Sequence, residues 1–289
     1  MESYGNKIKT GLILEGGALR GLFSAGVMDV MLENGIQFDG MIGVSAGAAF
    51  GCNFKSKQAG RVIRYNKRFA HDWRFFSLRS LIVTGNLFGA EFCYHTMPDE
   101  LDIFDVETYD ANPMEFWTVS TDVETGTPFY HRSMKAGYEC YEWIRSSASM
   151  PIVSKLVEVG GHKFLDGGVS DSIPLAFFQQ KGFARNVIVL THPIGYVKNQ
   201  IPMFTFIKRL LRKYPLFAQA MQDRPRMYNE QLAYVREQEE AGKVLVIRPK
   251  TELPVSHLTH NRRKMQSVYD AGREVAWEGL SRLRRFLAK

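Results

Sequence analysis

Within its first 55 residues the chain twice runs a short apolar segment into a glycine-rich turn and then into a helix-like stretch. GLIL (11–14) leads into EGGALRG (15–21), and FDGMIGV (38–44) leads into SAGAAFGCNF (45–54). After the first turn, Phe23, Val27, Val30 and Met31 recur at helical spacing, and Asn34-Gly35 supplies a helix stop. Apolar runs without alternation suit strands buried on both faces. The order βαβα therefore predicts an α/β fold with a mostly parallel sheet and helices on its faces. With 289 residues, 45% hydrophobic and 23% charged, the chain can build a large core and is not of disordered composition.

Further along, FWTVSTDVETGTPFYHR reads as two strands joined by a turn at Glu124-Thr125-Gly126, and WIRSSASM as a short helix stopped by Pro151. VEVGGHKFLDGG reads as a hairpin turning at Gly160-Gly161 that brings Asp166 to a strand end. NVIVLTHP is a buried strand halted by Pro193, and the chain beyond is helical and basic apart from a strand in KVLVIRP. The aromatic-rich stretch 53–115 has no period that assigns its elements. No internal repeat or linker divides the chain.

Gly43-Val44-Ser45-Ala46-Gly47 fits G-x-S-x-G, a strained strand-to-helix turn that raises a serine hydroxyl while its glycines keep clear of neighbouring backbone. The helix behind it points free N–H groups and a positive dipole end toward negative charge. Gly16 and Gly17 sit in a second such turn, where exposed amides form an anion-binding concavity. Acyl transfer needs such donors around its oxyanion. A dinucleotide fingerprint fits poorly, because Ala18 stands where it requires glycine and the second strand ends in Ser45, not an acid. Asp166-Gly167-Gly168 presents a carboxylate at a strand end, although Asp-Gly is also a common turn.

A serine needs a base. Histidine suits work near neutrality, and His192, just past VIVLT, has the best address. His257 and His260 lie in a polar stretch, His162 in a hairpin turn, and His71, His95 and His131 have no supporting pattern.

The ordered set EGGALRG, GVSAG, SSASMP and DGG, with VSTDVETGTPFYH and GGVSDSIPL, resembles the patatin-like phospholipases over about residues 10–195. The resemblance implies a three-layer sandwich, with a catalytic domain over 8–195 and a helical extension over 196–289 packed on the same domain. It also implies a Ser–Asp dyad without histidine, Ser45 being the nucleophile and Asp166 the base. Gly16, Gly17, Ala18, Gly21 and Ala46 would form the oxyanion and anion-binding set, and Arg20 would hold the anionic end of a lipid. The family's third consecutive glycine is Ala18 here, and alanine resists positive φ. The implied activity is cofactor-free hydrolysis of acyl esters of lipids. A Ser–Asp–His esterase using His192 and a catalytically silent lipid-binding protein are the alternatives. A burial-raised proton affinity would let Asp166 serve as a base despite the low pKa of an ordinary carboxylate. Asp171 reads as a cap or structural residue.

The net charge of +7 suits an anionic partner such as a lipid headgroup, and no nucleic acid is expected. Cys52, Cys93 and Cys140 are an odd set without C-x-x-C, which argues against disulfides or zinc and for a reducing compartment. The N-terminal MESYGNKIK lacks a signal-peptide core and no stretch is long enough to span a bilayer, so a cytoplasmic protein is expected. Peripheral membrane contact is expected through 201–217. There Ile207, Leu210, Leu211 and Tyr214 interleave with Lys208, Arg209, Arg212 and Lys213 on one helix.

Overall fold

The computed structural model describes residues 8–200, 202, 204–256 and 259–288. The readings of the N-terminal seven residues, of His257, and of Ile201 and Met203 in the basic segment lie outside these. Eight strands form one sheet: β1 (Thr10–Leu14), β2 (Gly40–Val44), β3 (Glu115–Asp122), β4 (Pro128–Arg132), β5 (Val157–Val159), β6 (His162–Asp166), β7 (Arg185–Val189) and β8 (Val244–Ile247). Their order is β5-β6-β3-β2-β1-β7-β8, with β4 paired to β3. Neighbours from β3 across to β8 run parallel, whereas β4 and β6 are antiparallel to β3 and β5 to β6.

Ten α-helices accompany the strands among the described residues. They are α1 (Gly21–Glu33), α2 (Ala46–Lys55), α3 (Arg61–Arg68), α4 (Leu78–Thr84), α5 (Val106–Ala111), α6 (Tyr138–Ala148), α7 (Leu175–Gln180), α8 (Phe204–Leu210), α9 (Pro215–Glu240) and α10 (Arg262–Ala288). Strand residues alternate between two cores. Leu12, Leu14, Met41, Val187 and Val189 pack with α1, α2 and α10, while Ile13, Ile42, Val44 and Ile188 pack with α7 and α9. Both faces are covered, giving a three-layer α/β sandwich, and this is why the strands read as unbroken apolar runs.

The α1 helix is buried on every side from Gly21 to Met31, and not along one stripe as its spacing suggests. The reason lies some 240 residues away in the sequence. A Cβ on Gly26 would stand 2.1 Å from the Tyr269 carbonyl oxygen, and one on Gly272 would stand 2.0 Å from that of Phe23. Two bare helix faces thus bring α10 against α1. The C-terminal third also adds β8 to the sheet edge and α9 to the opposite face, so it takes part in all three layers.

β1 lies between β2 and β7. The chain leaves β1 to one side first and returns on the other, which makes the carboxyl end of β1 a topological switch point, where open α/β sheets bind ligands. The Gly16 turn follows β1 and Ser45 follows β2, so both glycine turns open at this edge.

Candidate active site

Ser45 sits between β2 and α2 at φ 55° and ψ −122°, a conformation that L-residues avoid and that costs on the order of 1–3 kcal/mol. Two close approaches hold it there. A Cβ on Gly43 would lie 2.4 Å from the Gly47 carbonyl oxygen, and one on Gly47 would lie 2.3 Å from that of Leu14. Ser147, from the SSASMP stretch, fixes the turn from the other side by accepting the Ser45 N–H at 3.0 Å. Its neighbour Ser146 is hydrogen-bonded to Ser120 on β3 at 2.6 Å.

The first glycine turn lies directly on Ser45, since a Cβ at Gly16 would stand 2.9 Å from the Ser45 Cβ. The Gly16 and Gly17 amides lie outside any regular element and donate to no acceptor among the described residues. The Ala18 and Ala46 amides open helical turns, where no acceptor exists within the helix. Ala18 does adopt positive φ, at 49°. The alanine therefore takes the left-handed backbone it was expected to resist, and its N–H stays in the turn. Gly21 begins α1 behind this loop, and Arg20 precedes it.

What holds the first turn in place is Glu15, which the sequence motifs left without a role. Its buried carboxylate accepts the Thr191 N–H at 2.6 Å and hydroxyl at 3.2 Å, and the Tyr228 hydroxyl at 2.6 Å. Thr191 also donates to the Gly16 carbonyl at 2.9 Å. The turn after β1 is thereby tied to the end of β7 and to α9. A lone carboxylate in an otherwise buried strand end was the one available signal, because such a charge must find partners.

Asp166 ends β6, 5% exposed, and the Ser45 side chain lies near enough to act on its carboxylate. Its other contacts are fixed by neighbours: Oδ1 accepts the Gly168 N–H at 2.8 Å, its N–H donates to Ser149 at 2.8 Å, and its carbonyl accepts from Thr121 at 2.8 Å. Gly167 lies against the Val119 carbonyl on β3. Burial raises the Asp166 pKa above that of a free carboxyl, against the opposing pull of Arg224, the Ser45 hydroxyl and the Gly168 amide.

The described histidines have other neighbours. His192 stacks on Tyr196 with ring centres 3.5 Å apart and lines a small cavity with Tyr228 and Arg248. Burial, Arg20 and Lys198 push its pKa down to about 3. His162 pairs with Asp122, His95 with Glu142, and His260 with the Ala70 carbonyl. His131 stacks on Trp143, and His71 faces His260. Asp171 is a buried structural carboxylate, accepting from Tyr130 at 2.7 Å and Gln231 at 2.6 Å. Among the described residues no three His, Cys, Asp or Glu side chains converge as metal ligands.

Ser45 opens into an apolar cavity. The unassigned aromatic stretch supplies much of its wall, including Tyr65, Phe75, Phe88, Met97 and Phe104. Cys52 and Cys93 line it as well, and burial lifts the Cys52 thiol to about 12, so it stays protonated. The cavity is suited to an acyl chain, which gains about 0.8 kcal/mol for each buried methylene.

A sheet with its glycine turns and serine at one edge, beside an aspartate, defines a class: the chain belongs to the patatin-like phospholipase family, whose pattern it matches over residues 12–178. Residues 214–288 match a domain of unknown function, DUF6363. The chain is similar to the uncharacterized protein YjjU of Escherichia coli K12, 29% identical over 192 residues that make up 63% of this chain and 52% of that protein. It is 28% identical to the lysophospholipase NTE1 of Debaryomyces hansenii over 198 residues, 67% of this chain and 12% of the relative. The chain thus spans about half of one of these relatives and a small part of the other. The solved structure of VipD from Legionella pneumophila superimposes with a TM-score of 0.48 at 10% identity, covering 95% of this chain and 67% of that one.

The basic segment departs from the expected single helix. α8 ends at Leu210, and Pro215 starts α9 with Tyr214 in a non-helical conformation at φ −127° and ψ 71°. A proline disfavours helix in the residue before it. Tyr214 is buried with Phe217 and Met221, while Ile207 and Leu211 pack partly against them. Phe206, Leu210 and Leu216 remain exposed among the cations. No helix among the described residues is long and apolar enough to cross a membrane.

Proposed function

We propose that the protein is a serine hydrolase of lipid acyl esters, with Ser45 as nucleophile and Asp166 as base. The observation that carries this reading is the Ser45 side chain set beside the buried Asp166 carboxylate where the apolar cavity meets the glycine turns. The Ser45 oxygen attacks the ester carbonyl carbon and its proton passes to Asp166. The carbonyl oxygen becomes an oxyanion facing the free amides of Gly16 and Gly17, with those of Ala18 and Ala46 at the adjoining helix starts. Collapse of that intermediate expels the alcohol, which takes the proton from Asp166, and leaves an acyl group on Ser45. Water then attacks the acyl-enzyme, gives a proton to Asp166, and releases the fatty acid as Ser45 is re-protonated.

Family membership and likeness to a protein named lysophospholipase support glycerophospholipids or lysophospholipids as the substrate class. The exposed Phe206, Leu210 and Leu216, set among Lys208, Arg209, Arg212 and Lys213, support peripheral contact with an anionic membrane. Fatty-acid release from lysophosphatidylcholine, with Ser45→Ala as the blank, tests the activity. Release by the wild type alone is the expected result; equal release by both would refute Ser45 as nucleophile.

A further inference from the structure

The apolar cavity covers one side of Ser45, and among the described residues none of its wall comes from beyond Met150. The other side of the site is cationic. Arg20 comes from the first glycine turn, Lys198 from the segment after β7, and Arg224 from α9. Lys198 and Arg224 lie outside the part of the chain that matches the patatin-like family, and Arg224 falls within the C-terminal domain of unknown function.

Arg224 lies beside Asp166, and the three groups are close enough to act on one another. A Cβ on Gly168 would stand 3.2 Å from Arg224 Nη2 and 3.1 Å from Asp166 Oδ1, so the bare glycine admits the guanidinium beside the carboxylate. Arg224 pulls the Asp166 pKa down, and Lys198 acts on it more weakly in the same direction. Lys198 is fixed by a reciprocal clamp: its N–H donates to the Asn229 side chain at 2.9 Å and its carbonyl accepts from Asn229 at 3.1 Å. Its ammonium rests 4.4 Å from the ring centre of Tyr228, the residue that donates to Glu15.

These cations are under-used by the protein. The Nε groups of Arg20 and Arg224 are shielded from solvent and have no hydrogen-bond partner among the described residues. Among the described residues, none of the three pairs with a carboxylate within 4.0 Å. Burial, reinforced by Arg224 and Arg20, pushes the Lys198 pKa down to about 8, against the pull of Glu15 and Asp166. Buried donors without acceptors are costly, and guanidinium groups match phosphate oxygens in geometry as well as charge.

We propose that Lys198 and Arg224, both supplied by the C-terminal part of the chain, join Arg20, to which the family resemblance already gives the anionic end of a lipid, in a subsite for the phosphate of the lipid substrate. The inference rests on the hydrolase reading above. With the acyl chain in the apolar cavity, the phosphate on the glycerol side of the ester meets the cations. The C-terminal part then serves headgroup recognition in addition to covering the sheet.

The test uses ether lipids, which bind but cannot be cleaved. Dodecylglycerol phosphate, neutral dodecylglycerol and inorganic phosphate are titrated calorimetrically into the full chain below their micelle concentrations. In the wild type, the phosphate lipid should bind at least about tenfold more tightly than the neutral one, given the strength of charge-assisted hydrogen bonds. That ratio should fall toward one in Lys198→Met and in Arg224→Met, and Lys198→Arg should retain most of it. Because each ratio is taken within one protein, a general loss of fold lowers both affinities and is separable from loss of the subsite. A wild-type ratio near one, or a ratio unchanged in both methionine variants, overturns the proposal. An Arg224 that only tunes Asp166 would shift a pH profile and leave the ratio intact, which overturns it equally. Inorganic phosphate binding as tightly as the phosphate lipid would assign the cations to a free anion instead. If the ratio holds but wild-type protein fails to cleave the corresponding dodecanoyl ester, the hydrolase reading fails and the subsite stands.

Discussion

Replacing Gly47 by alanine tests how far the chemistry depends on backbone contact behind the nucleophile. The new Cβ would fall 2.3 Å from the Leu14 carbonyl oxygen and 3.0 Å from the Leu14 Cβ. Both neighbours belong to a buried strand, so neither can swing aside as a flexible side chain would. Restoring an ordinary carbon–oxygen contact requires the start of α2 to move from β1 by about 1 Å, at an overpacking cost of roughly 1–3 kcal/mol. Ser45 and the Ala46 amide ride on that helix start, whereas the Gly16 turn stays with β1. A displacement of about 1 Å between reacting groups can lower the rate about 100-fold. The assay is kcat/KM for p-nitrophenyl butyrate beside a thermal melt. Gly279→Ala is the control, because nothing lies within 4 Å of the added atom on α10. Gly47→Ala should stay folded at a lower Tm and lose about two orders of magnitude in kcat/KM, while the control keeps its rate. Wild-type kcat/KM in Gly47→Ala would refute the claim that this contact sets the position of Ser45.

Three further outcomes follow from the same geometry. Asp166→Asn should lower kcat by about 100- to 10000-fold, the span for loss of a general base, yet raise the Tm. Burial makes the folded state bind the Asp166 proton more tightly than the unfolded chain does. Its contribution to stability is therefore present at low pH and lost as pH rises through the raised folded pKa, and asparagine imitates the protonated form. A lowered Tm at neutral pH would contradict this. His192→Ala should leave ester hydrolysis largely intact, and because His192 stays neutral down to about pH 3 the wild-type profile should show no histidine step near 6.5; a loss as deep as that of Ser45→Ala would reinstate a histidine base. Neutralising Lys208, Arg209, Arg212 and Lys213 together should weaken binding to anionic vesicles in a flotation assay, and unchanged binding would remove this segment from the membrane-contact reading.

The parts of the fold that could be read from sequence are those whose cause is local. A strand that must turn sharply into a helix needs glycine or small residues at the turn itself, so the Gly16 and Ser45 bends are written in adjacent letters. The Gly160-Gly161 hairpin is equally local, with both glycines at positive φ. Contacts between distant segments left little trace. Ser147 holds the Ser45 turn from 102 residues away, and Tyr228 reaches Glu15 across 213. Arg224 and Lys198 look like ordinary members of a basic, helical region until α9 and the segment after β7 fold over the site. The aromatic stretch resisted assignment because its rings serve a cavity and not one face of a regular element. In the basic segment the apolar spacing was real, but Pro215 broke the helix it implied.

The proposed reaction depends on an activated Ser45 hydroxyl. Its most direct measurement is labelling of the intact protein by a fluorophosphonate, with the modified residue located by peptide mass spectrometry. Stoichiometric modification confined to Ser45, slowed in Asp166→Asn, is the predicted result. An unlabelled Ser45, or label carried by another residue, would contradict it.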